Sequence, residues 1–244
     1  MAPLTRTEHV QVDGGEISAH AALPPSGTGP GIVVLHEIFG VNEYVQDACR
    51  RLAELGYYAL APDLFWRTEP GLSLRHDEDG LTHGMAAAQR LDFATAVSDA
   101  IAALGALRAL PEVSADGRAG VLGFCLGGTF AYQVAVQDEP DAAVCYYGSG
   151  IPDALHSAGA IACPTLLQFG GADPFIPREQ VDRVAAMAAG REEIECHVHE
   201  GAGHAFDNHL APMFHDPEAA AHAWELTRGF LARALPLRRR QAAD

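Results

Sequence analysis

Residues 118–135 read RAGVLGFCLGGTFAYQVA, and the rest of the chain is organised around them. A short apolar run at 119–124 ends in Gly123-Phe124-Cys125-Leu126-Gly127-Gly128, and a helical pattern follows. This is the form of a nucleophile elbow, a strand-to-helix turn that lifts one reactive side chain above a parallel sheet. A cysteine stands where such turns usually carry a serine. The central residue of an elbow sits at strained dihedrals, so glycines at 123, 127 and 128 let strand and helix approach closely. Cys125 is then expected at a helix N-terminus, where the amide dipoles favour an anion. A G-x-C-x-G match also fits a small buried cysteine in an ordinary βα turn, so the motif needs partners elsewhere in the chain.

The 244 residues fit one α/β domain spanning 1–244, long enough to bury a core without disulfides or metals. A net charge of -16 argues against nucleic acid or an anionic membrane as partner, because the mean field repels polyanions. Lysine is absent and all sixteen basic residues are Arg, which reads as a coding bias rather than a functional signal. The N-terminus lacks the apolar core of a signal peptide and no stretch is apolar enough to span a bilayer, so a cytoplasmic location is expected. Cysteines at 49, 125, 145, 163 and 196 form an odd set without C-x-x-C spacing. Neither a disulfide framework nor a metal site is expected, and no cofactor is implied.

Alternation at 8–12 and 17–23 around Asp13-Gly14-Gly15 predicts a β-hairpin at a sheet edge. The continuous apolar run at 32–35 predicts a strand buried on both faces, and Val45, Ala48, Leu52 and Leu55 give residues 42–55 a helical period. A strand at 57–62 and a polar loop at 63–80 follow, then two helices within 81–110, the longer starting near Asp92. Beyond the elbow, strands at 142–147, 165–170 and 194–198 alternate with helices at 178–189 and 217–234, with a Gly/Ser loop after residue 147. Three arginines at 238–240 read as a solvated end. This alternation predicts a mostly parallel sheet with helices on both faces and a site at the carboxyl ends of the strands.

Two loops at those strand ends carry residues that could serve Cys125. Gly171-Ala172-Asp173-Pro174 follows the strand at 165–170, and Gly201-Ala202-Gly203-His204-Ala205-Phe206 follows the strand at 194–198. The order nucleophile, acid, histidine is that of α/β-hydrolase triads, whose members fall in such loops. Singly, Asp173 is compatible with a turn or cap and His204 with a surface histidine. Jointly with the elbow they predict that His204 takes or holds the thiol proton and that Asp173 orients the imidazole. The amides of Leu126 and Ile38 are the expected oxyanion donors. Glu37, in the same loop as Ile38, reads locally as an acid leading the helix from 42.

With EIFGVN at 37–42, APDLF at 61–65, GFCLGG at 123–128, YYG at 146–148, GGADPFIP at 170–177 and AGHAF at 202–206, the chain resembles the dienelactone hydrolases over nearly its whole length. The resemblance implies an α/β-hydrolase fold and a triad of Cys125, His204 and Asp173. It also raises Glu37 from a helix-leading acid to a catalytic residue that contacts the thiol at rest and takes its proton when substrate binds.

The chain departs from that family where a substrate carboxylate is clamped by two arginines. Asn208 occupies the second of those places, residues 77–88 contain no arginine for the first, and Arg75 and Arg90 match it poorly. Ala205 also replaces a hydroxyl-bearing residue. Neither Ala nor Asn substitutes for a bidentate guanidinium, so altered specificity is expected. The resulting expectation is a cysteine hydrolase of a small ester or lactone, working through a thioester. A general small-ester carboxylesterase is one alternative, and a non-catalytic thiol module for binding or redox sensing is another. Phe39, Trp66, Phe206 and Asn208 are the expected substrate-binding residues, and His36, His83, His209 and His215 are further candidates for the pocket rim. The expected assembly is a monomer or homodimer.

Overall fold

A computed structural model describes residues 3–113 and 117–237, so the arginines at 238–240 lie outside the described residues. Among the described residues eight strands form one sheet: β1 (Leu4–Val12), β2 (Gly15–Leu23), β3 (Gly31–Leu35), β4 (Tyr58–Pro62), β5 (Ala119–Phe124), β6 (Ala143–Tyr146), β7 (Thr165–Gly170) and β8 (Ile194–His199). Their order is β1-β2-β4-β3-β5-β6-β7-β8, antiparallel in the β1–β2 and β2–β4 pairs and parallel from β4 to β8. The expected hairpin thus lies at the sheet edge. Its first strand is longer than the alternation at 8–12 suggested, because pairing continues from Val12↔Gly15 out to Leu4↔Leu23.

The central strands β3, β4, β5, β6 and β7 are buried along their whole length, as continuous apolar runs require when both faces are covered. On one face lie α1 (Glu43–Leu55) and α6 (Pro217–Ala234), joined where the Arg51 guanidinium stacks 3.9 Å from the Trp224 ring. The longer of the two helices predicted within 81–110 is α3 (Phe93–Ala109); together with α4 (Leu126–Gln137) and α5 (Arg178–Ala188) it packs on the other face. The shorter, α2 (Glu78–Gln89), closes over the loop after β3, and its Gly84 lies against the Ile38 carbonyl. Residues 152–160, expected within a Gly/Ser loop, form a 3-10 helix that Pro152 initiates. Among the described residues no helix is long and apolar enough to cross a membrane.

Side chains cap four of the described helices where the sequence offers Asx residues, Asp216 serving α6 by accepting from the Glu218 and Ala219 amides. Asn42 Oδ1 accepts from the Val45 N–H, Asp77 from Gly80, and Asp92 from Thr95, so each helix start is set locally. Helix α4 has no such cap. Its N-cap is Cys125 itself, at φ 55° and ψ −115°, a conformation that costs an L residue energy and persists only where the surroundings impose it.

The surroundings do so through close backbone contact. A Cβ on Gly123 would fall 1.9 Å from the Gly127 carbonyl oxygen, and one on Gly127 would fall 2.0 Å from that of Leu35. The helix therefore rests directly on β3 and β5 with no side chain between. Gly127→Ala must push this helix off the sheet, and should lower the melting temperature by about 6–12 °C, the equivalent of roughly 3 kcal/mol for a chain of this size. Thermal unfolding followed by circular dichroism measures it, and an unchanged midpoint would contradict the packing described.

Candidate active site

Three loops at the carboxyl ends of β5, β7 and β8 converge. The elbow raises Cys125, and its Sγ lies 3.1 Å from His204 Nε2. On the far side of the ring, His204 Nδ1–H donates to Asp173 Oδ2 at 2.7 Å. The acid is itself fixed, because Asp173 Oδ1 accepts from the Phe175 and Ile176 amides at 2.7 and 3.3 Å. Burial works against a charge on His204, but the adjoining Cys125 sulfur and the Asp173 carboxylate outweigh it and raise the imidazole to about 10.

The loop that bears His204 is anchored at its next polar residue. Asp207 Oδ2 accepts from the Tyr44 hydroxyl at 2.9 Å and from Arg51 at 3.3 Å, so α1 holds the loop from below. Burial shifts the Asp207 carboxyl upward. Ala205, the departure noted after the histidine, adopts φ 53° in the turn between.

A cavity of about 350 Å³ opens over the sulfur. Ile38 and Phe39 from the loop after β3, Leu81 and Met85 from α2, Phe175 beside Asp173, and Phe214 form its apolar walls. Met85 and Phe175 are 48% and 57% exposed, so they stand at its mouth. The polar groups facing it are few: Cys125, His204, Glu37, His76, Asn208 and Ser149. Among the described residues no arginine lines the cavity. Arg75 and Arg90 instead pair with Asp77 and Glu69, with Arg75 itself 90% exposed. Among the described residues no cluster of three or more His, Cys, Asp and Glu is arranged to hold a metal ion.

Leu126 and Ile38 both border the cavity. The Leu126 N–H belongs to the first turn of α4, which leaves it without an intrahelical acceptor, and among the described residues the Ile38 N–H donates to no backbone group. Glu37 is buried, with Oε2 accepting from Asn208 Nδ2 at 2.8 Å. Its Oε1 has no hydrogen-bond partner among the described residues, and in this conformation the thiol is paired with His204 rather than with Glu37.

Phe39 and Asn208 line the cavity as expected, whereas Trp66 and Phe206 do not. Trp66 is drawn away because its indole N–H donates to Asp99 on α3 at 2.8 Å, with the Arg67 guanidinium 4.2 Å from its ring. Phe206 is fully buried behind the histidine, against Tyr146, Tyr147 and His199. His36 is also buried, braced between the Glu37 carbonyl and the Leu64 N–H, which donates to Nε2 at 3.0 Å. His83 and His209 face the acids Glu69 and Asp47 outside the cavity, and His215 does not border it. The residue that sequence reading passed over is His76, which contacts both Glu37 and Asn208. It lies in an aperiodic loop, and nothing local distinguishes it from the other histidines.

Residues 17–235 match the model of the dienelactone hydrolase family. The chain belongs to the dienelactone hydrolase family. It is 33% identical over 236 residues to a carboxymethylenebutenolidase from a Pseudomonas species, covering 95% of this chain and 97% of that protein. It is also 33% identical to the carboxymethylenebutenolidase of Pseudomonas putida, covering 90% and 92%. A candidate dienelactone hydrolase structure from Klebsiella pneumoniae superposes with a TM-score of 0.77 at 25% identity, over 96% of this chain and all of that one. The dienelactone hydrolase of Anabaena variabilis shares the fold, with a TM-score of 0.69 at 18% identity over 96% of this chain and all of that one. The expected α/β-hydrolase fold and the hydrolase class are thus borne out.

The raised imidazole has a stability consequence with a defined sign. A group whose folded value of about 10 exceeds its ordinary 6.5 contributes stability that is fully present below 6.5 and is lost as pH rises through about 10. Asp173→Asn removes part of that shift. The melting temperature of the variant should therefore fall furthest below wild type at and below pH 6.5, and the gap should narrow towards pH 10. A gap that is constant with pH would contradict the assignment.

Proposed function

We propose that the chain hydrolyses a small ester or lactone through a thioester on Cys125, and that its best substrates carry no carboxylate. The supporting observation is the unbroken sequence Cys125 Sγ, His204, Asp173, at 3.1 and 2.7 Å, set under an apolar cavity. Nucleophile, base and orienting acid stand within hydrogen-bond reach, which is what covalent acyl transfer requires.

In this reading Glu37 receives the thiol proton when Sγ turns away from the imidazole, leaving a thiolate beside His204, which its raised value already keeps as the imidazolium. The sulfur attacks the acyl carbon, forming the S–C bond, and the carbonyl oxygen takes the displaced electron pair. The amides of Leu126 and Ile38 hold that oxyanion. Collapse of the intermediate breaks the C–O bond as the His204 imidazolium gives its proton to the leaving oxygen. Water then attacks the thioester and returns a proton to His204, the acid departs, and the sulfur leaves as thiolate to recover its proton from Glu37. The substrate is the only molecule consumed besides water.

The cavity bears on substrate class as well as reaction. A substrate carboxylate would meet the buried Glu37 side chain and, among the described residues, no arginine. At separations near 8 Å and an effective dielectric of about 20, like charges repel by roughly 2 kcal/mol. A small neutral acyl ester meets no such term, which favours esterase-like selectivity within the family.

Two measurements test this. Turnover of 4-nitrophenyl acetate should fall by on the order of 10³-fold or more in Cys125→Ala, and equal rates in the two proteins would overturn the proposal. A carboxylate-bearing enol lactone and its carboxylate-free analogue, compared by kcat/KM, should differ by about thirtyfold in favour of the neutral one. A strong preference for the acid would reveal a cationic partner elsewhere.

A further inference from the structure

Glu37 is held by an uncharged cradle whose members can be assigned from their other bonds. Asn208 Oδ1 accepts from the Leu210 N–H at 3.1 Å, so its Nδ2 is the end that faces the cavity. That NH₂ donates to Glu37 Oε2 at 2.8 Å and lies 2.9 Å from His76 Nε2. Asn42 is oriented independently, because its Oδ1 caps α1 through the Val45 N–H while Nδ2 donates to the Leu74 carbonyl at 3.1 Å. The same Nδ2 lies 3.3 Å from His76 Nε2.

Two amide donors therefore converge on one ring nitrogen. His76 Nε2 must present a lone pair, which places the ring proton on Nδ1 and leaves the ring neutral. The 3.5 Å approach of His76 Nε2 to Glu37 Oε2 is then a contact between two acceptors sharing the Asn208 NH₂, not an ion pair. The ring is packed away from solvent: Phe39 lies 4.4 Å away between centroids at an interplanar angle of 58°, and only 5% of the His76 side chain is exposed.

We infer that Asn208 and His76 are positioning residues for Glu37. They occupy Oε2, so that the unpartnered Oε1 is the oxygen left to exchange a proton with Cys125. The inference rests on the reading of Glu37 as the proton acceptor. The cradle does with neutral groups what a cation would do at the same oxygen, and it leaves the carboxylate its full negative charge. Asn42 extends it to the start of α1, so the orientation of Glu37 is tied to the scaffold rather than to the mobile end of a long side chain.

A double-mutant cycle tests this. In wild type, Asn208→Leu and His76→Leu should each lower kcat on 4-nitrophenyl acetate by about tenfold with KM nearly unchanged, and should slow alkylation of Cys125 by iodoacetamide to a similar degree. In the Glu37→Gln background the same substitutions should have little further effect on either rate. His76→Gln, which keeps an acceptor facing Asn208, should recover part of the loss. Equal losses in both backgrounds would mean a merely structural role and overturn the inference, as would a Glu37→Gln enzyme whose alkylation matches wild type. Should turnover survive in Cys125→Ala, the hydrolase reading fails, while the alkylation cycle still decides the role of the cradle by the same criterion.

Discussion

The contact that the rest of the structure depends on is backbone against backbone, where the first turn of α4 rests on β3 and β5. Gly123 and Gly127 leave no room for a Cβ, and the carbonyls of Gly127 and Leu35 occupy the space one would need. This approach forces Cys125 into φ 55° and directs its sulfur outward from the sheet. The same approach brings the elbow beside the loop that carries Glu37 and Ile38, since that loop continues directly from β3. One close contact thus places the thiol, both amides and the carboxylate within a single cavity.

Around that point the site is built by parallel pairing. β5, β6, β7 and β8 are neighbours in that order, so the loops after β5, β7 and β8 end on one edge of the sheet. Asp173 and His204 are brought into contact because β7 and β8 run side by side, in register from Thr165↔Ile194 to Gly170↔His199. A buried charge survives there because each member has a partner: two amides for the acid, the acid and the sulfur for the imidazole. Glu37 and Asp207 differ, each with one oxygen satisfied and one without a partner among the described residues. An unmet acceptor of this kind costs stability.

The chemistry and the selectivity of the pocket have different origins in the chain. Cys125, Asp173 and His204 lie in glycine-rich turns immediately after apolar strands, so their neighbourhood in sequence announces their place in the fold. The pocket walls come from α2, from the segment before it, and from the loop beyond His204, none of which carries a local signature. Trp66 illustrates the difficulty. An aromatic among charges reads as a pocket rim, yet Asp99, 33 residues away on α3, takes its N–H and turns it from the cavity. Phe206 was drawn into the core by Tyr146 and Tyr147 in the same way.

By itself the sequence determined the sheet, the elbow and the order of nucleophile, acid and histidine, because apolar period and turn chemistry are properties of adjacent residues. The arginine deficit was legible too, since an absent side chain needs no coordinates. Only the tertiary structure decided which oxygen of Glu37 is occupied and that His76 belongs to the site. His76 meets Glu37 because Gly40 pairs with Ser73 and Asn42 reaches the Leu74 carbonyl, contacts between segments more than thirty residues apart. No periodicity encodes such a meeting, for it depends on how far one loop folds back over another.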